Sequence, residues 1–404
     1  MRRRRFALNL ISALTGAAVG ALAVLAISEL PSAEREPRSD ETRPVALAEP
    51  RVDETMSSGT VLLAWAPGGL PVHAEGTLES LVGVRHATTV VAGLDWIEST
   101  RDAGGTVIDR PQGGFRIPFE TAVIEPSAYA RFVSPSDRPL IESLGRDDVV
   151  LARTEARLRR GDEGTTIAFT GRTARVSGVV SDETTNGYEA LMRGPVPSTW
   201  ARADRFVLVK TRHPRVRHRV QQTLRSILAP GQALRVRALG ETPLLRYGDA
   251  VLPQMSIKAA FGEFAARPLP TGSIQIQPQW VKRNIKDARV PILGTVTCHE
   301  ALFPQLRAAM RAVVAEGLSY AIDPGDFGGC YSPRFIDSNP GGRLSHHTWG
   351  IAFDVNVAEN AFGSKPDLDH RLVRVMEDAG FTWGGRWLIP DGMHFEWVDW
   401  APVP

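Results

Sequence analysis

The sequence predicts an α+β protein of more than one domain behind an apolar N-terminal segment. Three observations predict it. Runs of β-branched and apolar residues alternate with segments whose apolar side chains recur every three or four positions. The chain has 404 residues, and a single core rarely grows past about 250–300. Hydrophobic residues make up 43% and charged residues 23%, the proportions of ordinary globular chain. A net charge of +2 leaves no electrostatic footprint for a nucleic-acid partner.

Arg2, Arg3, Arg4 and Arg5 precede a stretch, 6–28, without a charged residue. Roughly 20 apolar residues span a bilayer, whereas the core of a signal peptide has about 7–15. Residues 1–30 therefore read as a signal anchor that keeps the arginines in the cytoplasm and sends the rest outward. A cleaved signal peptide, and hence a secreted protein, is the alternative. Residues 31–59 are rich in Pro, Glu, Asp, Arg and Ser and carry no aromatic ring, so they read as a disordered linker. The expected location is the cell membrane, single-pass, with the folded part extracytoplasmic.

Residues 60–267 read as a separate α+β domain of unassigned role. Strands are expected at 61–65, 87–92, 149–152 and 205–210, and a hairpin pairs 165–169 with 174–180 around Thr170-Gly171-Arg172. A short helix over 155–160 stops at Gly161. A second, over 216–228, carries Val216, Val220, Leu224 and Leu228 at a spacing of four. The short helix, the glycine turn and a hairpin ending in Gly178-Val179-Val180 resemble the periplasmic core domain of MacB-type and FtsX-type membrane proteins. Lys210, Arg212, His213, Arg215, Arg217, His218 and Arg219 form a basic run. It reads as a solvated face, or as a contact for anionic wall polymer or lipid headgroups.

Residues 268–290 read as a connector and 291–404 as the last domain. A strand at 292–297 leads to a helix whose Leu302, Leu306, Met310 and Val313 share a face and which stops at Gly317. Pro304 places the start of that helix close to Ala301. Ser364-Lys365-Pro366-Asp367 fits a second helix start, with Leu368, Leu372, Val375 and Met376 facing inward up to Gly380. Phe381-Thr382-Trp383 and His394-Phe395-Glu396-Trp397 read as strands of one antiparallel sheet. Cys298 and Cys330 are the two cysteines, and an exported chain with one pair favours a disulfide. It would tie the start of the first helix to the loop carrying Arg334. Two buried thiols are the alternative.

The chemistry concentrates in two stretches. Ser345 to Asp354 reads S-x-H-x-x-G-x-A-x-D, and Asp391 to Glu396 reads D-x-x-H-F-E. Two imidazoles and a carboxylate suit zinc. That metal takes nitrogen and oxygen donors and, at a catalytic centre, three protein ligands with one position open. Gly350 and Ala352 let the backbone turn and pack behind the metal. Asp391 stands three residues before His394, where a tight turn aims it at the open position.

Both stretches resemble the M15 family of zinc peptidases, which includes D-alanyl-D-alanine carboxypeptidases and dipeptidases and L-alanyl-D-glutamate endolysins. The similarity runs over residues 275–404. It implies a Hedgehog/DD-peptidase-like domain of antiparallel sheet and helices. It implies Zn2+ held by His347, Asp354 and His394, with His346 outside the ligand set. It also implies Asp391 as the catalytic carboxylate and Arg334 as the group that steadies substrate and transition state.

In such a mechanism Asp391 accepts the proton of the attacking water and passes it to the leaving amine. Arg334 pairs with the developing oxyanion or a substrate carboxylate. Ser345 bonds the substrate, and Trp349 or Trp383 walls the cleft, unless these rings are core. An exported chain of this kind implies peptidoglycan stem peptides as substrate, with the cytoplasmic membrane as the other partner. The family's carboxypeptidases usually carry Glu at the base position. The D-x-x-H form looks more like the endopeptidase branch, so the scissile bond stays open. A non-catalytic zinc-binding module of the same fold, acting in wall binding or signalling, is the other reading.

Overall fold

The hub of the larger sheet is one long strand, Val84–Arg101. Its middle pairs with Ile117–Ile124 on one side and its N-terminal half with Asp204–Thr211 on the other, both antiparallel. Its C-terminal end also pairs with Thr166–Phe169. Ile117–Ile124 continues to Ala190–Arg193, Asp148–Ala152, Arg172–Val180 and back to Thr166–Phe169. Six strands therefore close a ring around Phe119, Val149, Leu151, Ile167, Phe169 and Val176. Beyond Asp204–Thr211 the sheet adds Val61–Trp65 and Arg235–Ala238. Val216–Ile227 packs Val216, Val220 and Leu224 against that extension.

The computed structural model describes residues 61–200, 202–249 and 252–400. The expected signal anchor and linker lie outside them. Among the described residues no helix is long and apolar enough to cross a membrane. The architecture is α+β throughout, and the described residues fall in one compact unit.

The last part of the chain builds a four-stranded antiparallel sheet in the order Phe327–Gly329, Ala352–Val355, His394–Trp397, Phe381–Trp383. Helices Phe303–Ala315 and His370–Asp378 contribute Leu306, Met310, Val313, Leu372, Val373 and Met376 to its core. Pro304 sits in the first turn of its helix, where its missing N–H costs nothing. The second helix starts later than the sequence pattern suggests. Asp369, not Ser364, caps it by accepting from the Arg371 N–H. Ser364 instead donates its hydroxyl to the Ala361 carbonyl at 2.5 Å. The strand expected at 292–297 is Gly294–His299, because Ile292 takes a left-handed φ of 66° in the turn before it.

The stretch read as a connector is built into this core. Pro278–Asn284 is a helix, and Ile285–Val290 pairs with Gly294–His299. The helix Gln254–Phe261, which carries no clear apolar period, joins it. The Phe261 ring lies 4.8 Å from Trp397, and Phe264 lies 4.7 Å from Trp349. The same helix reaches the ring through Lys258, whose Nζ lies 2.6 Å from Glu189, both fully buried. A fragment that starts at residue 275 would therefore lose part of this core.

His299 sits where these segments meet. Its Nε2 donates to the Phe261 carbonyl at 3.0 Å and its Nδ1 accepts from the Ala301 N–H at 3.2 Å. The neutral ring is satisfied, and burial pushes its pKa down to about 4 from 6.5. The folded value lies below the unfolded one, so the unfolded chain takes up the proton first as pH falls. The stabilisation is complete above about pH 6.5 and is lost on the way down to about pH 4. At pH 5 the loss should be about 2 kcal/mol. Urea midpoints at pH 7.5 and 5 check this: the wild type should lose more stability than His299→Gln, and equal losses would contradict it.

Candidate metal centre and catalytic cleft

The first ligand sits on a single turn, His346–Trp349. Ser345 caps that turn, its hydroxyl accepting from the His347 N–H at 3.4 Å. Gly350 ends it with a φ of 69°, and a Cβ there would stand 2.7 Å from the His299 backbone nitrogen. Only glycine meets both demands. The chain then enters Ala352–Val355, which pairs antiparallel with His394–Trp397 so that Asp354 stands directly opposite His394. Directly opposed residues on one sheet face bring their side chains together.

Three donor atoms converge. His347 Nε2 lies 3.2 Å from Asp354 Oδ2, His394 Nδ1 lies 3.0 Å from Asp354 Oδ1, and the two nitrogens are 3.3 Å apart. A tetrahedral zinc with bonds of about 2.0–2.1 Å has ligand-to-ligand edges of roughly 3.3 Å. The outer contacts fix the tautomers. His347 Nδ1 donates to the Cys330 carbonyl at 2.9 Å, and His394 Nε2 donates to Glu396 at 3.1 Å. Each neutral ring therefore turns a lone pair inward, toward a carboxylate. Three acceptors facing one point require a cation, and the residues present fit zinc.

Burial opposes charge on His394, yet its bonds to Asp354 and Glu396 push its pKa up to about 10; proton and metal compete for the inward nitrogen, and a bound metal would displace the proton. Burial also opposes charge on Asp354, but the two imidazoles beside it, His347 and His394, hold its carboxyl well below the usual range. Glu396 is likewise buried, and His346 and His394 hold it ionised. His346 Nδ1 lies 2.8 Å from the Glu396 oxygen that His394 also contacts. His346 thus braces the second ligand's partner.

The set opens into a cleft of about 340 Å³. Arg334, Ser345, Asp391 and His394 line it together with Asp204, Tyr247 and Asp249. Asp391 is half-buried, and its Oδ1 is shielded from solvent with no hydrogen-bond partner. Burial raises its pKa and Asp354 reinforces this, against the pull of His394, His347 and Arg334. The Arg334 backbone is pinned by Thr348, whose hydroxyl donates to its carbonyl at 3.0 Å. Among the described residues the Arg334 guanidinium has no ion-pair partner.

The two tryptophans expected at the cleft wall stand elsewhere. Trp349 is 1% exposed and donates its Nε1 to the Gly262 carbonyl behind the site. Trp383 is buried and donates to the Gly392 carbonyl at 2.7 Å, which steadies the turn after Asp391. The ring beside the metal set is Trp387, 5.2 Å from His394. Asp249, in a segment without a motif, also shapes the cleft. It accepts from the Leu388 N–H at 2.6 Å and pairs with Arg235 at 2.9 Å, anchoring the loop that carries Asp391. Glu396 was legible in principle: two residues after His394 on a strand, it must share its face.

Cys298 and Cys330 are joined by a disulfide with a Cα separation of 5.3 Å. The bond anchors the Cys330 carbonyl that orients His347. Closing a loop of sequence separation 32 should stabilise the chain by about 3–4 kcal/mol. Cys298→Ala/Cys330→Ala is expected to lower the thermal midpoint and to weaken zinc binding about 10-fold. Competition with a chromogenic chelator measures the second effect; unchanged affinity would separate the disulfide from the metal site.

Comparison with known proteins adds to this geometry. Residues 338–397 match the M15 peptidase family model described as D-alanyl-D-alanine carboxypeptidase. His347, Asp354, Asp391 and His394 fall inside the match; Arg334, Cys298 and Cys330 fall outside it. Among solved structures, the chain is similar to the periplasmic region of MacB from Actinobacillus actinomycetemcomitans. That likeness has 12% identity and a TM-score of 0.32, covering 47% of this chain and 95% of that one. Both resemblances read from the sequence recur in these comparisons. No curated protein matches the chain.

Proposed function

We propose that this chain is an extracytoplasmic zinc metallopeptidase acting on peptidoglycan stem peptides, held at the membrane by its N-terminal segment. The observation that carries the reading is Asp391 Oδ1. A buried carboxylate oxygen in a purely structural role is normally hydrogen-bonded. This one is unpartnered and stands beside three converging ligands.

A zinc ion held by His347, Asp354 and His394 would supply Lewis acidity and acidify a water molecule. Asp391 would take a proton from the attacking water and deliver it to the leaving amine. Its raised pKa suits both halves of that transfer. Arg334 would hold the anionic end of the substrate or the charge developing at the scissile carbonyl, since its fork offers paired donors. Glu396 and the Cys330 carbonyl would keep the two imidazoles in the ligating tautomer.

The family description and the unpaired Arg334 favour removal of a terminal D-alanine. The D-x-x-H spacing favours the alternative, cleavage between L-alanine and D-glutamate. Paired synthetic stem peptides separate them, one with a free C-terminal carboxylate and one amidated. A carboxypeptidase should lose nearly all turnover on the amide. An endopeptidase should cleave both and release L-alanine from the stem.

A further inference from the structure

We propose a second binding site, remote from the catalytic residues, that takes a phosphate ester group. It lies where four elements meet. Arg85 and His86 belong to the start of the long strand, Arg131 to the turn Ala130–Phe132, Arg138 to the helix Arg138–Glu142, and Lys210 to the end of Asp204–Thr211. With Ser127 and Glu142 they line a concavity of about 400 Å³. Four permanent cations and an imidazole face one carboxylate. Among the described residues, none of the four cations is ion-paired.

Like charges brought together without counter-ions repel, yet these are held in place. Lys210 Nζ donates to the Arg131 carbonyl at 3.1 Å, and Arg138 Nε donates to the Ala130 carbonyl at 3.1 Å. Arg131 Nη1 lies 2.8 Å from His86 Nδ1 and donates to it, so the ring is neutral in this arrangement. Burial, then Arg131 and Lys210, lower the His86 pKa; burial, then Arg138 and Arg85, lower that of Lys210. A bound anion would relieve this repulsion. Guanidinium forks match phosphate oxygens in pairs, and an ammonium adds a point charge. The pocket volume admits a phosphate with a small ester substituent.

The basic run seen in the sequence divides accordingly. Arg217 is engaged by Glu241 through both of its terminal nitrogens. Lys210 is the member of that run that lines the pocket, where it joins Arg85, Arg131 and Arg138. The ligand chemistry is a phosphate mono- or diester, carried either by a soluble or wall-borne polymer or by a lipid headgroup.

The test titrates glycerol 3-phosphate into the full chain, metal-free and at constant ionic strength, by calorimetry and amide chemical shifts. Vesicles of phosphatidylglycerol in phosphatidylcholine form a second arm. Saturable binding with shifts at Arg85, His86 and Lys210 is expected. Arg131→Ala/Arg138→Ala should weaken it at least ~10-fold while leaving the thermal midpoint unchanged. Binding to these vesicles in excess of that to pure phosphatidylcholine vesicles, with the excess lost in the double variant, would support the site with a lipid source. Glycerol 3-phosphate binding without vesicle binding would support it with a soluble one. Binding no stronger than that of chloride, or undiminished in the double variant, would overturn the site. None of these outcomes depends on whether the cleft hydrolyses peptides.

Discussion

Asp391→Asn is expected to abolish hydrolysis while leaving the metal in place. The substitution keeps shape and removes a proton acceptor that lines the same cleft as His394. General-base catalysis is worth about 10²–10⁴-fold, so turnover should fall by at least ~10². Asp391 is not among the converging donors, so zinc content per chain should not change. Replacing a half-buried carboxylate whose shielded oxygen has no partner also removes a desolvation cost, so the thermal midpoint should hold or rise. Zinc by mass spectrometry, turnover on a stem peptide and the melting curve together decide it. Loss of zinc, or full activity, would remove Asp391 from the role assigned to it.

His394→Ala should have the opposite signature. It removes a ligand, and it also strands Asp354 and Glu396, two buried carboxylates that lean on the same ring. Breaking a buried charge pair costs about 3–5 kcal/mol. The variant should lose metal on gel filtration and melt well below the wild type. Added zinc should stabilise the wild type by about 4 kcal/mol at a thousandfold excess over Kd, and the variant not at all. Stoichiometric zinc in the variant would show that the metal, if present, is held elsewhere. Glu396→Gln is the graded version, with zinc affinity about 10–100-fold weaker at intact fold.

The metal set was legible because its parts are local in pattern. His347 and Asp354 sit seven residues apart, on a capped turn and the strand that follows, and His394 opens the strand paired with it. Spacing and residue type suffice for that. The rest needed three dimensions. Trp349 and Trp383 look like cleft walls because they are near the ligands in sequence, but hydrophobic burial takes both rings inward. Trp387 and Asp249 come from segments without a motif. The helix Gln254–Phe261 has a weak apolar period because Lys258 and Gln254 are buried against Pro118 and Glu189. The strands at 61–65 and 205–210 and the hairpin closed by Gly171 were readable from β-branched runs. Closure of six strands into a ring was not, since it rests on one strand long enough to pair at both ends.

The most direct measurement incubates the zinc-loaded chain with intact muropeptides and reads the products by mass spectrometry, beside the same chain stripped by chelator. Loss of one terminal alanine, dependent on zinc and absent in Asp391→Asn, is the expected result; release of the stem at L-alanine would keep the peptidase and move the bond. No cleavage by a folded chain with zinc bound would contradict the account and leave a metal-binding module.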